Sequence, residues 1–471
     1  MDDPISILTD AARLLESIHP DFAATLAESV RRLARREWIV LVSGLCSVGK
    51  SSFVSALWGD SDLLPTAVRD CTQTNTLTRA PEAGEADRRI FLKYLERSAA
   101  ENFALNGLAV HRLTEMLEDF HGIAMPRLDE MLPDARLRFV AQDARKLYAT
   151  RHDLMVLNEP LTDEMEQLEN FIEFLDSPEY KSGAAVEARW ENRREHLMGR
   201  RRPDGRLTGT GRLMALEHVE LVHQTEWHPA NELPAPVLID TPWIPALHNA
   251  RREDLILDQA RRADLLLVLA LPQRYECENW LLKLFRTRPE MAKSTLVVFN
   301  QADTCDPRTL FSRDGFSGIF DDNRERLVRL GLHPDNILVS CTRLRFLQNA
   351  LKEQAGASAQ KEASPFGASG LAERVARLEK VLGQMREQAR SRPDSALKSK
   401  LLAACDPADA GVETVRRRLE ELAGGVVAKK RLSATLNALL EFDAVDLPAE
   451  RKAEWDALRN AASKIRNNSV S

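Results

Sequence analysis

WIVLVSGLCSVGKSSFVSALW, residues 38–58, decides the fold. Its opening WIVLVS (38–43) is a short continuous apolar run of the kind that forms a buried strand, and SSFVSALWG reads as a helix start. Between them Gly44-Leu45-Cys46-Ser47-Val48-Gly49-Lys50-Ser51 fits the pattern GxxxxGK followed by Ser or Thr. Strand, loop and helix in that order make the opening unit of a mononucleotide-binding fold. The glycines let backbone N–H groups turn onto phosphate oxygens, and the helix dipole favours the anion. In this reading Lys50 reaches the β- and γ-phosphates and the Ser51 hydroxyl ligates Mg²⁺. The competing reading is a chance match in a structural turn.

Strand signals return far downstream, in LEHVELVH (216–223), PAPVLID (234–240), ADLLLVLAL (263–271), STLVVFN (294–300) and NILVSC (336–341). Helix-forming segments such as ENWLLKLF (278–285) and NRERLVRLGL (323–332) separate several of them, so the expected class is α/β, a mainly parallel sheet closed by crossover helices. From about 95 to 205 the pattern is helical, as in RLTEMLEDF and MEQLENFIEFL, with breaks near Pro126, Pro133 and Pro160; this predicts an insertion of helices, not sheet. Residues 1–36 carry apolar positions at helical spacing (Ile7, Ala11, Leu14, Leu15, Ile18, then Phe22, Leu26, Val30, Leu33) and predict one or two amphipathic helices. Residues 352–369, rich in Ala, Ser, Gly and Lys, predict a flexible excursion, and helical patterns follow to the end, predicting a short bundle with the N-terminal helices. The expected division is 1–36 N-terminal helices, 37–425 nucleotide domain and 426–471 C-terminal helical segment.

The bulk properties agree with a folded, multi-core protein. A chain of 471 residues with 44% apolar content is long enough for two or three cores. No run approaches the roughly 20 apolar residues that span a bilayer, and the acidic opening MDDPISILTD is unlike a signal peptide, so the expected location is cytoplasmic or peripheral to a membrane. The six cysteines, Cys46, Cys71, Cys277, Cys305, Cys341 and Cys405, form no CxxC pair and suggest reduced thiols rather than a disulfide framework or zinc site. A net charge of −6 gives no general attraction to nucleic acid, and none is expected as a partner. The run Arg193, Arg194, Arg200, Arg201 and Arg202 reads as a solvated helix face before a site for an anionic partner.

Three further elements stand in order behind the glycine loop. Asp240, in LIDTPW (238–243), ends an apolar strand where a carboxylate holds Mg²⁺, with a structural Asp as the plain alternative. Asn300-Gln301-Ala302-Asp303 follows STLVVFN, and the Asp303 carboxylate can accept two hydrogen bonds from the N1–H and 2-amino group of guanine, donors that adenine lacks; an ordinary turn Asp is the alternative. Ser340 and Cys341, at the end of the next apolar strand, are placed where backbone and a small side chain approach the guanine oxygen. The expected nucleotide-binding set is Gly44, Cys46, Ser47, Val48, Gly49, Lys50, Ser51, Ser52, Asn300, Gln301, Asp303, Ser340 and Cys341, with GTP or GDP and Mg²⁺ as ligands.

With these elements, LLPT (63–66) and TQTNTLTR (72–79), the chain resembles the dynamin superfamily, in particular bacterial dynamin-like large GTPases. The resemblance implies GTP hydrolysis, with Ser47 and Lys50 in the catalytic part of the loop and a switch threonine that binds Mg²⁺ and places the attacking water. Thr74 is the choice for that threonine, with Thr72 and Thr76 as competitors, so the implied metal set is Ser51, Thr74 and Asp240. It also implies a homo-dimer or oligomer formed through the GTPase domain, a peripheral membrane or protein partner, and closure of the domain by GVETVRRRLEEL (411–422). The chain departs from the family at Cys46, where Gln is common, and at Trp243, where Gly is usual, which implies slow or partner-activated turnover. The alternative is a GTP-binding scaffold with little hydrolysis that docks a partner; an ATPase or kinase-like enzyme comes third because Asn300 and Asp303 oppose it. Cys46 and Cys71 as redox-sensitive thiols stand against the plainer reading of both as small packing residues.

Overall fold

The computed structural model describes residues 3–34, 37–44, 48–61, 63–64, 74–105, 110, 113–114, 130–150, 159–198, 200–201, 207–208, 210–230, 233–241, 260, 263–273, 277–302, 318–341, 344–345, 347–348, 368–391, 398–399, 402, 405–406, 410–442 and 447–470. Its strands are β1 (Ile39–Gly44), β2 (Asn75–Arg79), β3 (Arg89–Tyr94), β4 (Ala185–Ala188), β5 (Arg200–Arg201), β6 (Leu207–Thr208), β7 (Leu216–Val222), β8 (Val237–Asp240), β9 (Leu265–Ala270), β10 (Thr295–Phe299) and β11 (Ile337–Val339). Nine form one sheet in the order β11-β10-β9-β1-β8-β2-β7-β3-β4, and β5 and β6 make a separate hairpin. From β11 to β8 every pairing is parallel; β2 joins β8 antiparallel, β7 lies parallel to β2, and β3 and β4 continue antiparallel.

Residue type explains why the two halves differ. The strands β1, β9 and β10 are apolar at nearly every position because both faces are covered: Val40, Val42, Leu267 and Val298 enter one core while Leu41, Leu266, Val268 and Val297 enter the other. In β2 and β3 buried and half-buried residues alternate strictly, the pattern of strands with one covered face. Inserted helices supply that cover, with Leu137, Val140 and Ala144 of Pro133–Thr150 and Leu168 and Phe171 of Glu159–Asp176 in the same core as Ile90, Leu92, Val219 and Leu221.

The expected α/β class, helical insertion and terminal bundle are all present. Helices α1 (Pro4–Leu15) and α2 (Pro20–Ala34) pack with Ala428–Glu441 and Ala449–Val470 around a third core that includes Leu8, Leu15, Leu26, Leu436, Leu439 and Trp455. Asp3 opens α1 by accepting the Ile5 N–H at 3.2 Å, with Pro4 in the first turn where its missing N–H costs nothing. No helix among the described residues is long and apolar enough to cross a membrane.

Two expectations need correction. The 95–205 insertion is not free of sheet: β4 lies inside it and pairs with β3, and the β5–β6 hairpin begins there. β4 is only AVEA, an edge strand with exposed and half-buried residues alternating, too short to break a helical pattern read over a long window. The excursion 352–369 ends sooner than expected, since Ala368 and Ser369 already belong to the helix Ala368–Arg390; residues 351–367 lie outside the described set. Strands β2 and β3 were also not foreseen, because their polar alternating residues lack the continuous apolar signal of the parallel strands.

A cavity in the doubly covered half should be costly. Leu267 is fully buried in β9, so Leu267→Ala is expected to lower the unfolding free energy by about 2–5 kcal/mol, read from urea denaturation with an unchanged slope.

Candidate functional site

The site lies at the carboxyl ends of β1, β8, β10 and β11, where open α/β sheets place ligands. Helix α3 (Lys50–Trp58) starts there, directly after the glycine loop. Gly49 adopts φ +85°, a left-handed value open to glycine, and a Cβ on Gly44 would stand 2.4 Å from the Leu269 carbonyl of β9. The first glycine of the motif thus lets β9 press against the end of β1, and the second turns the chain into α3.

Three side chains tie the loop to its surroundings. The Ser51 hydroxyl donates to Asp240 Oδ2 at 2.7 Å, which joins the start of α3 to the end of β8. Lys50, 8% exposed, folds back so that Nζ donates to the Gly44 carbonyl at 3.1 Å. Asn300, 1% exposed, donates through Nδ2 to the Val48 carbonyl at 2.9 Å, and its Oδ1 accepts the Ser340 hydroxyl at 3.0 Å. One buried carboxamide therefore joins the glycine loop, the end of β10 and the end of β11. Gln301 beside it has φ +54°, a conformation costly for a residue with a Cβ. Cys341 is buried, with its backbone N–H on the Ala410 carbonyl at 3.0 Å.

Thr74 and Thr76 approach from the other side. Thr74 is buried and its hydroxyl donates to the Leu216 carbonyl at 3.3 Å; Thr76 stands directly opposite Asp240 in the β2–β8 register. Ser52 lies in the first turn of α3, half-buried. Cys46, Ser47, Cys71, Thr72, Trp243 and Asp303 lie outside the described residues. Of the remaining cysteines, Cys405 is buried and burial pushes its thiol up to about 12, the behaviour of an inert packing residue.

The far end of α3 is anchored by residues that sequence reading did not single out. Arg416, in the helix Val412–Leu422, donates Nε to the Leu57 carbonyl at 3.0 Å and Nη2 to the Ala56 carbonyl at 3.4 Å, satisfying the last turn of α3. Its signal was present: Val412, Val415, Leu419 and Leu422 mark the buried face of that helix, and Arg416 occupies a slot on it. Trp58 Nε1 donates to the Gln224 carbonyl at 3.0 Å, and Trp227 Nε1 donates to Glu420 at 2.7 Å.

His223, just past β7, bridges two carboxylates, with Nε2 on Asp60 at 2.8 Å and Nδ1 on Asp87 at 3.0 Å. An ionised carboxylate only accepts, so a carboxylate at each ring nitrogen favours the doubly protonated imidazolium. Burial pulls its pKa down, but the hydrogen bonds and charges of Asp60 and Asp87 push it up by more. Asp87 is held below the usual carboxylate range: burial raises it, and the Gln224 N–H and His223 lower it by more.

No family model matches the chain, and the search of curated proteins finds no match. Solved structures do match. The similarity is to bacterial dynamins. One structure of an oligomerised bacterial dynamin pair, described as a mechanism for long-range sensing and tethering of membranes, is 13% identical, with a TM-score of 0.36, covering 99% of this chain and 49% of the other. A second structure of such a pair is 12% identical, with a TM-score of 0.37, covering 99% and 51%. The chain spans about half the length of these proteins.

Two outcomes follow from the anchors of α3. Because the raised folded pKa of His223 means that its bridge is complete below the unfolded value and lost as pH rises through the folded one, stability should fall as pH rises above the ordinary imidazole value of 6.5. His223→Gln should flatten that fall in denaturation midpoints measured from pH 6 to 9. Arg416→Ala, which strips two buried carbonyls of their donor, should cost about 1–3 kcal/mol in the same assay.

Proposed function

We propose that the chain is a dynamin-like GTP-binding protein that hydrolyses GTP to GDP and phosphate and couples nucleotide state to self-association and to movement of its helical bundle. The observation that supports this reading is the convergence, at the carboxyl ends of the parallel strands, of the glycine loop, the Ser51–Asp240 pair and the Asn300 bridge. The domain division proposed with it is 1–36, 37–425 and 426–471, the last boundary falling in the turn Ala423–Val427.

In this reading Lys50 leaves the Gly44 carbonyl to meet the β- and γ-phosphates, and the backbone around Gly49 donates to phosphate oxygens. Ser51 and Asp240 supply the oxygen donors that suit Mg²⁺, with Thr74 the proposed switch ligand; the ion, when bound, neutralises charge on the phosphates. Ser47 and Thr74 position the water. Asp303 reads the guanine edge, and Asn300, Ser340 and Cys341 hold the segments that frame the base. Peripheral membrane association and a homo-oligomer formed through the GTPase domain belong to the same proposal.

A second reading, a GTP-binding scaffold with little turnover, is favoured by Trp243 and Cys46 at positions where hydrolytic members of the resembled family carry Gly and commonly Gln.

The test is binding and turnover of GTP against ATP by purified protein over a range of protein concentrations. Lys50→Ala should abolish tight binding of GTP, and Asp303→Asn should reduce the preference for GTP at least about tenfold. Turnover per molecule that rises with concentration supports an assembling GTPase, binding without turnover supports the scaffold, and equal affinity for ATP removes the guanine reading.

A further inference from the structure

Four parts of the chain meet at the ring of His223, just past β7. Asp60, two residues beyond α3, meets Nε2 at 2.8 Å. Asp87, between β2 and β3, meets Nδ1 at 3.0 Å and also accepts the Gln224 N–H at 2.8 Å. The fourth part is Trp190, in the short helical turn Trp190–Asn192 that opens the arginine-bearing stretch beyond β4. Its ring centroid lies 5.4 Å from that of His223, and the Arg193 guanidinium stands 5.0 Å from the centroid of the same indole. With the imidazole charged, Trp190 therefore faces two cations, each attracted to its ring.

Asp60 and Asp87 are the charges that bear on the ring most strongly. Glu226, farther along from β7, lies against Gly59 beside Asp60, and Arg88 and Glu191 are exposed next in sequence to Asp87 and Trp190. Arg79, Glu85, Arg89, Glu187 and Glu220 pair among themselves. Their strand members stand on the other face of the sheet: Glu220 is out of step with Val219 and Leu221, which enter the core, and His223 keeps step with those two. The His223 side chain is 9% exposed, against 27% for Asp60 and 32% for Asp87. Water can thus take up either carboxylate while the ring stays covered.

A neutral imidazole carries one N–H, so on losing its proton the ring turns a lone pair on one of the two carboxylates at hydrogen-bond distance. That contact has to open. Trp190 loses one of its two cations in the same step. Leu197, buried in the core, keeps the far end of the helix Arg193–Met198 in place, so the part that can loosen is the near end.

We propose that His223 is a proton-operated clasp: charged, it holds the chain after α3, the β2–β3 connection and Trp190 to the end of β7, and on losing its proton it lets go of one carboxylate and of Trp190, so that residues 190–194 loosen. The sign follows from the bridge. A folded pKa raised above 6.5 leaves the clasp closed below that value and opens it as pH rises through the folded one. The stretch that loosens carries Arg193 and Arg194, so pH decides how firmly these cations are held to the sheet. The clasp goes beyond the nucleotide reading and does not rest on it.

The test is amide hydrogen exchange on the full chain without nucleotide, at pH 6 and pH 9, with each rate divided by the intrinsic rate at that pH. Failure of guanine binding leaves its result as it stands. In the wild type, exchange at 190–194 should be at least about tenfold faster at pH 9, the effect of losing a hydrogen bond to a charged group, while β7 is unchanged. His223→Gln, which cannot take up the charge, should exchange fast at both pH values. Asp60→Asn should exchange slowly at both, because the new amide N–H can donate to the bare ring nitrogen and keep the neutral ring in place. No pH difference at 190–194, a difference shared equally by β7, or one that persists in His223→Gln overturns the proposal. Should His223→Gln lose its native circular dichroism, Asp60→Asn decides: slow exchange at both pH values supports the clasp, and any other response overturns it.

Discussion

β1 has no solvent face, and most of the molecule follows from that. With β8 and β9 bonded to its two edges and a core on each side, its residues are apolar up to Ser43 at its close, and its exit has to be abrupt. The abrupt exit is the glycine loop. Gly44 admits the β9 carbonyl at the close of the strand, and everything the loop can offer a ligand, its backbone donors, Lys50 and Ser51, is carried by the rigidity of a strand packed on all sides. At its other end the Ile39 N–H donates to Asp264, which Arg431 of the bundle also grips, so the glycine loop and the bundle contact share one stiff rod about 20 Å long.

How much of this the sequence disclosed depends on whether a partner is near in sequence or only in space. The parallel strands were legible because double burial writes an uninterrupted apolar run, as in LLLVLA of β9. β2, β3 and β4 were not, since one-sided burial in short strands leaves polar residues such as Asn75, Arg79 and Lys93 in view and no apolar run longer than Ile90–Leu92. The glycine loop and Asp240 were legible as local patterns, and the structure brings Ser51 to Asp240 across 189 positions of sequence. The roles assigned to Thr74 and Ser47 rest on the family resemblance and that of Asp303 on its place after an apolar strand; Ser47 and Asp303 lie outside the described residues.

The polar contacts that escaped the sequence share a physical logic. Helix and strand ends leave carbonyls and N–H groups that must be satisfied, and in a buried setting the cheapest donors are side chains arriving from elsewhere in the chain. Arg416 reaches Leu57 across 359 positions, and Arg431 reaches Asp264 across 167. In an amphipathic helix such arginines look like solvated charges, and only their position on the apolar face sets them apart.

β7 has a consequence of its own. It holds Thr74 through the carbonyl of its first residue and, just past its last, His223 holds Asp60. The two ends of the segment between Asp60 and Thr74 are therefore pinned to one strand a little over 20 Å long. For a chain stretch tethered in this way, the entropy of bringing its ends to a fixed separation is spent in folding. A strand that carries none of the glycine-loop motifs thereby fixes where that segment begins and where it ends.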